Sequence, residues 1–185
     1  MKKLFLATLV LVLAATCFGQ VPQAIFRGPS SDLYFGYVGT SPDYGPKLFS
    51  YRFDGGEIGF DRNLTSHLAL TASGLISSGP FQGRLMSGTA GVKWLFLTGR
   101  FRPFGMGQCG YSRISATNMY NADYHYPANR KLTESGGTYR VGGGMDVQLN
   151  PRFFWRVAQW DMQPQSWGRH TPYYQNFGTG VGVRF

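Results

Sequence analysis

Three histidines, His67, His125 and His170, are the residues of this chain best suited to moving a proton near neutral pH. A hydroxyl nucleophile needs such a base beside a serine, with a carboxylate to orient it. His170 is the one with both in its neighbourhood along the chain, Ser166 and Asp161. A solvated loop accounts for that cluster without chemistry. His67 opens a strand beside a short turn, and His125 sits in a tyrosine-rich loop. No Cys/His spacing suits a structural metal. The run Gly142-Gly143-Gly144 lies in a strand and does not open a helix, so it is no phosphate loop. The sequence assigns no catalytic, cofactor-binding or metal-ligating residue.

A different set of ionisable residues carries more information. Glu57, Lys93, Arg140, Asp146, Arg156 and Arg184 occupy alternate positions in otherwise apolar stretches. An ion enclosed in a narrow space is tolerated only when paired and hydrogen-bonded. These residues are expected to form a network of ion pairs on one face of their strands. Asp161 is a further carboxylate for it. Its parity is wrong relative to Arg156, so a bulge near Ala158 is expected to re-aim it.

The elements that would position these groups are strands. Residues 177–185 read FGTGVGVRF, with Phe177, Val181, Val183 and Phe185 on one face and Gly178, Gly180, Gly182 and Arg184 on the other. Similar alternation marks strands over residues 33–38, 49–60, 67–76, 85–97, 101–114, 138–149 and 153–162. Residues 61–66, 98–100 and 150–152 read as tight turns, the first taking in Asp61. Residues 39–47, 77–84 and 163–173 read as longer loops, and 113–137 as the longest irregular stretch. The count is eight, and short and long connections alternate. Strands of about 11 residues, rising roughly 3.3 Å each and tilted near 45°, cover about 26 Å of bilayer. Trp94, Phe96, Phe153, Trp155 and Phe185 would lie near one rim, and Tyr37, Tyr111, Tyr139 and Phe177 near the other. The expected fold is all-β, an eight-stranded antiparallel up-and-down transmembrane barrel.

The start of the chain agrees with export. Lys2 and Lys3 precede a short apolar run and small residues up to Gly19, the pattern of a secretory signal peptide. Residues 1–19 are read as that signal, 20–31 as a short arm and 32–185 as the barrel. Cleavage after Gly19 leaves Cys109 as the one cysteine; lipid attachment at Cys17 is the alternative. Cys109 reads as a small wall residue. A formal charge of +9 is spread through loops and strands, which suits anionic headgroups and not nucleic acid.

The segments VGGGMDVQLN, RVAQWD and QNFGTGVGVRF resemble single-domain outer-membrane barrels related to the transmembrane part of OmpA-like proteins. The likeness is close over the last three strands and one of pattern over the first five. It implies residence in the outer membrane of a Gram-negative-type bacterium. It also implies recognition of Phe177, Val181, Val183 and Phe185 by the barrel assembly machinery. A peptidoglycan-binding domain, which full-length OmpA-like proteins carry, is missing from this sequence. Met162 and Val183 stand where relatives often have aromatics. Eight-stranded barrels that deacylate lipid A pair a strand histidine with serine as H-x-S, and none of the three histidines here is followed that way. A soluble lipocalin-like barrel would turn the alternation inside out; the terminal Phe185 and the glycine-rich polar face argue against it.

The expected role is structural or interaction-based, through loops carrying Lys47, Arg84, Arg113, Arg130, Lys131 and Arg169 with Tyr120, Tyr124, Tyr126 and Trp167. Outer-membrane lipid, and the phosphates of lipopolysaccharide, are the partners this composition fits, and a monomer is expected. A narrow channel for ions or very small solutes is the alternative. A lipid A-modifying enzyme stands third. No cofactor is implied.

Overall fold

The computed structural model describes residues 30–43, 52–79, 83–117, 131–166 and 173–185. Eight strands follow one another: β1 (Ser31–Asp43), β2 (Phe53–Asn63), β3 (Leu68–Ser78), β4 (Arg84–Leu95), β5 (Phe101–Thr117), β6 (Lys131–Gln148), β7 (Phe153–Pro164) and β8 (Tyr173–Arg184). Each pairs antiparallel with the next, and β8 returns to β1, so the sheet closes on itself and has no edge. The architecture is an up-and-down barrel. No described helix is long and apolar enough to cross a membrane.

Period-two alternation dictates the two faces. Along β2, Ile58 and Phe60 are exposed while Phe53, Glu57 and Asp61 are buried. On β6 and β8 the outward residues include Tyr139, Val141, Met145, Phe177 and Val181, and the inward ones Arg140, Asp146, Tyr174 and Asn176. The outer wall is thus a continuous apolar surface and the lumen is largely polar, the reverse of a water-soluble barrel.

The turns close by local hydrogen bonds. Leu64 and Thr65 donate their N–H groups to the Leu68 carbonyl, and the Thr65 hydroxyl accepts from His67 and Leu68. At the β6–β7 turn the Asn150 side chain accepts the N–H groups of Arg152 and Phe153.

Some boundaries differ from the sequence reading. β1 takes in Ser31 and runs on through residues 39–43, paired with β8 as far as Asp43–Tyr173. β5 and β6 pair out to Thr117–Lys131, so much of the stretch read as irregular is a two-stranded ribbon. Serine, threonine and glycine there give no apolar alternation, yet their backbones pair once the strands below hold them in register. Asp61 belongs to β2 and not to a turn. Phe96 and Leu97 lie beyond β4, in the turn that leads to β5.

β7 is irregular. Its register against β8 shifts between Arg156 and Gln159, and Val157 and Ala158 both face outward. The extra residue puts Gln159 and Asp161 on the same inward face as Arg156.

Candidate functional site

Among the described residues, most of the buried titratable groups converge in the lumen. β6 points Arg140 across it toward Glu57 on β2. Nη1 and Nη2 of Arg140 donate to the two Glu57 carboxylate oxygens at 2.5 and 3.0 Å, a bidentate pair. Nη2 also reaches Asp161 on β7 at 2.8 Å, and Nη1 reaches the Ser73 hydroxyl at 3.0 Å. Gln159 donates to Glu57 and Asp161, and Asn176 donates to Asp161 at 2.7 Å. One guanidinium between two carboxylates leaves a local negative excess, which these two amides offset with N–H donors.

A second cluster lies toward the short-turn end. Lys93 on β4 holds Asp61 at 2.8 Å and Asp146 at 2.9 Å. Arg156 donates through Nε to the other oxygen of Asp146 at 2.8 Å, and through Nη1 to Gln159 at 2.8 Å. Gln159 therefore joins the two clusters. Aromatic rings complete the shell: Lys93 Nζ lies 4.2 Å from the Phe104 ring centroid, and Arg156 stacks 4.1 Å over Tyr34. At the turn-end mouth Arg184 grips Asp32 at 2.7 and 2.9 Å, with Arg102 at 3.8 Å from the same carboxylate.

Among the described residues, five carboxylates (Asp32, Glu57, Asp61, Asp146 and Asp161) thus face five cations (Lys93, Arg102, Arg140, Arg156 and Arg184). The ionisable residues described in the lumen therefore sum to zero formal charge. Neutrality matters because an unmatched ion in so confined a space costs several kcal/mol.

Apolar and small residues shape the remainder. Val38, Phe53, Leu75, Leu85, Ile114 and Tyr174 form a buried cluster across the loop end of the lumen. Leu95, Phe104 and Met106 form another near the turns. Gly36 on β1 faces Gly180 on β8, and a Cβ on either would enter the space of the Tyr34 ring. That pair of glycines is what lets Tyr34 lie flat beneath Arg156. Thr71, Ser73, Thr89 and Gln108 form a hydrogen-bonded band along β3–β5.

The residues read from the sequence occupy these places: Glu57, Lys93, Arg140, Asp146, Arg156 and Asp161 lie together inside the barrel, and Arg184 lies at its mouth. Asp32, Asp61, Arg102, Gln108, Gln159 and Asn176 were not among them. Asp61 was hidden by its assignment to a turn, and Asp32 by its place at the start of β1. The amides carry no charge signal, although their inward parity was legible. Several buried polar atoms have no partner among the described residues, including Ser77 Oγ, Ser112 Oγ, Gln163 Nε2 and both amide atoms of Gln165, all in the loop half of the lumen.

His67, the histidine among the described residues, has no serine or carboxylate partner there. His67 Nδ1 lies 2.8 Å from the Leu95 carbonyl, and its ring stacks on Trp94. Asp161 is held by Arg140 and Asn176 inside the lumen, away from any rim cluster. His125 and His170 lie outside the described residues, as does Cys17. Among the described residues no three His, Cys, Asp or Glu side chains form a metal-sized group. Cys109 is exposed on the outer wall between Ala90 and Tyr139. On the wall by the turns stand Phe60, Trp94, Phe96, Phe153, Trp155 and Phe185, and toward the loops Tyr37, Tyr111, Tyr139 and Phe177. Tyr37 and Arg52 both bond Asp54 at the loop rim.

No protein-family model and no curated protein matches the chain. Solved structures do. Neisserial surface protein A aligns at 12% identity with a TM-score of 0.63, over 86% of this chain and 98% of its own. Ail, the attachment invasion locus protein of Yersinia pestis, solved with the heparin analogue sucrose octasulfate, aligns at 15% identity with a TM-score of 0.57, over 86% and 100%. The N-terminal β-barrel domain of Pseudomonas aeruginosa OprF aligns at 19% identity with a TM-score of 0.50, over 83% and 97%. The fold is that of these eight-stranded outer-membrane barrels, as the likeness to the OmpA-like transmembrane part implied.

Proposed function

We propose that this chain is a non-enzymatic outer-membrane protein that works through the loop end of a closed barrel, in a structural or surface-interaction role. The filled lumen carries the reading. Two interlinked ion-pair clusters occupy its middle, and an apolar cluster from Val38 to Tyr174 lies across its loop end. Eight strands leave an interior that side chains fill. A protein so built acts by its surface.

The outward apolar wall supports a membrane setting, since most of its large side chains would otherwise meet water. Export by a signal over residues 1–19, an arm over 20–31 and insertion through Phe177, Val181, Val183 and Phe185 belong to the same proposal, as does a monomeric state. For the loops, the partner class is a phosphorylated or sulfated glycan, lipopolysaccharide first. Arg84, Arg113 and Lys131, read from the sequence as loop residues, lie in β4, β5 and β6 toward the loop end, and Lys47, Arg130 and Arg169 lie outside the described residues; together these basic residues suit polyanions. Ail, which has the same fold, was solved with a sulfated sugar.

A narrow channel is the second reading, and one observation favours it. The Ser77 and Ser112 hydroxyls, Gln163 Nε2 and the Gln165 amide, which have no partner among the described residues, make the loop half of the lumen wettable. Planar-bilayer recording of the refolded full-length protein separates the two. Silence supports the filled barrel; steady unitary currents from wild-type protein transfer the assignment to transport. A change in lipid A mass on expressing the protein would instead support the enzyme.

A further inference from the structure

The turn end of the barrel carries a collar of exposed arginines that balance no carboxylate among the described residues. One lies at each short connection: Arg62 near the end of β2, Arg100 between β4 and β5, and Arg152 between β6 and β7. All three are exposed, and none forms an ion pair among the described residues. Arg62 makes a single side-chain bond, from Nη1 to the Ser31 hydroxyl at 2.9 Å.

Each arginine is flanked in sequence by exposed apolar residues of the turns and strand ends. Phe60 and Leu64 accompany Arg62, Phe96 and Leu97 accompany Arg100, and Leu149 and Phe153 accompany Arg152; all six are 42% exposed or more. The same composition recurs in three sectors of the rim. The carboxylates at this end are withdrawn: Asp32, Asp61 and Asp146 are buried and held by Arg184, Lys93 and Arg156. The turn rim therefore offers guanidinium groups at the border of the apolar band, with no exposed side-chain carboxylate among the described residues to neutralise them. The loop rim differs, since Arg52 is paired with Asp54 and Glu134 is exposed there.

We infer that this collar binds the headgroups of anionic glycerophospholipids in the leaflet at the turn end, one site per turn. The occupant must bring a phosphate to the guanidinium and an acyl chain to the adjacent aromatic or leucine. Guanidinium is suited to bidentate contact with phosphate oxygens. An acyl chain is what a soluble polyanion lacks. The inference rests on the outer-membrane reading and adds to it the lipid class and the residues that select it.

The test uses the full-length chain in nanodiscs of phosphatidylcholine, with spin-labelled phosphatidylglycerol and phosphatidylcholine as probes. The wild type should immobilise phosphatidylglycerol preferentially, and the preference should fall as salt rises. Replacing Arg62→Gln, Arg100→Gln and Arg152→Gln together should abolish it, with at most about fivefold lost per arginine. The matching Lys replacements should retain much of it, and Arg84→Gln with Arg113→Gln at the loop end should leave it intact. Should the triple variant fold poorly, Arg100→Gln and Arg152→Gln alone carry the test, because their side chains bond no described residue. Equal immobilisation of both lipids by wild type overturns the inference, as does a preference lost only in the loop-end pair. Displacement by soluble polyphosphate at matched phosphate concentration makes the occupant a soluble polyanion and overturns it too. A chain that never enters the disc, with no heat-dependent gel shift, sinks the outer-membrane reading itself and the inference with it.

Discussion

Arg140 and Glu57 stand 83 residues apart in sequence and meet in the lumen through two parallel N–H···O bonds. Asp161 accepts a third from the same guanidinium. Removing the cation would strand two buried carboxylates. Arg140→Met should therefore destabilise the barrel by about 3–5 kcal/mol. Adding Glu57→Gln and Asp161→Asn to that variant should restore part of the loss, because each amide removes an uncompensated charge. Urea unfolding in lipid vesicles, followed by tryptophan fluorescence, measures both. Additive losses would show that the three residues do not form one cluster.

The same variants bear on conduction. The apolar residues Val38, Phe53, Leu75, Leu85, Ile114 and Tyr174 lie on the loop side of the ion pairs. Arg140→Met with Glu57→Gln should stay silent in planar bilayers. Currents in that variant and none in the wild type would mean the ion pairs are the barrier and the apolar cluster is permeable.

Gln165 is fully buried, and neither amide atom has a partner among the described residues. Its desolvation is uncompensated, so Gln165→Leu should raise stability by about 1 kcal/mol. The same urea titration reads it as a higher midpoint at unchanged slope. A lower midpoint would mean that the amide is bound by water or by a ligand worth more than the gain in apolar burial.

Cys109 faces outward between Ala90 and Tyr139. In a bilayer its thiol should meet acyl chains. A bimane label at Cys109 should be quenched by lipids brominated on the acyl chain and hardly at all by aqueous iodide. Strong iodide quenching would place this part of the wall in water and count against the transmembrane assignment.

The closing strand separates folding from delivery. Phe185 is exposed and outside β8, and its backbone exchanges hydrogen bonds with Ser31. If Phe177, Val181, Val183 and Phe185 form the assembly signal, deleting Phe185 should lower the outer-membrane yield in cells several-fold. Spontaneous refolding into thin-bilayer vesicles should change little. Equal losses in both would make Phe185 a purely structural residue.

Alternation along the chain was enough to read eight strands, the outward apolar face and the inward charges on β2, β4 and β6, because side-chain direction in a strand is a local, period-two property. The parity conflict between Arg156 and Asp161 was also legible, and the register shift in β7 lies between those two residues. What the sequence could not determine was partnership. Lys93 meets Asp61 and Asp146, 32 and 53 residues away, and Arg184 meets Asp32, 152 residues away. Those meetings depend on how far each strand is staggered against the next when the sheet closes, a quantity summed around the whole barrel. Local pattern carries no trace of that sum. It is also why Asp61, read as a turn residue, lies in the lumen, and why residues 131–137 are strand although nothing in their composition alternates. The sequence by itself determined the two faces of the wall; closure decided which ions neutralise one another inside it, because only a closed sheet brings opposite walls within hydrogen-bonding reach.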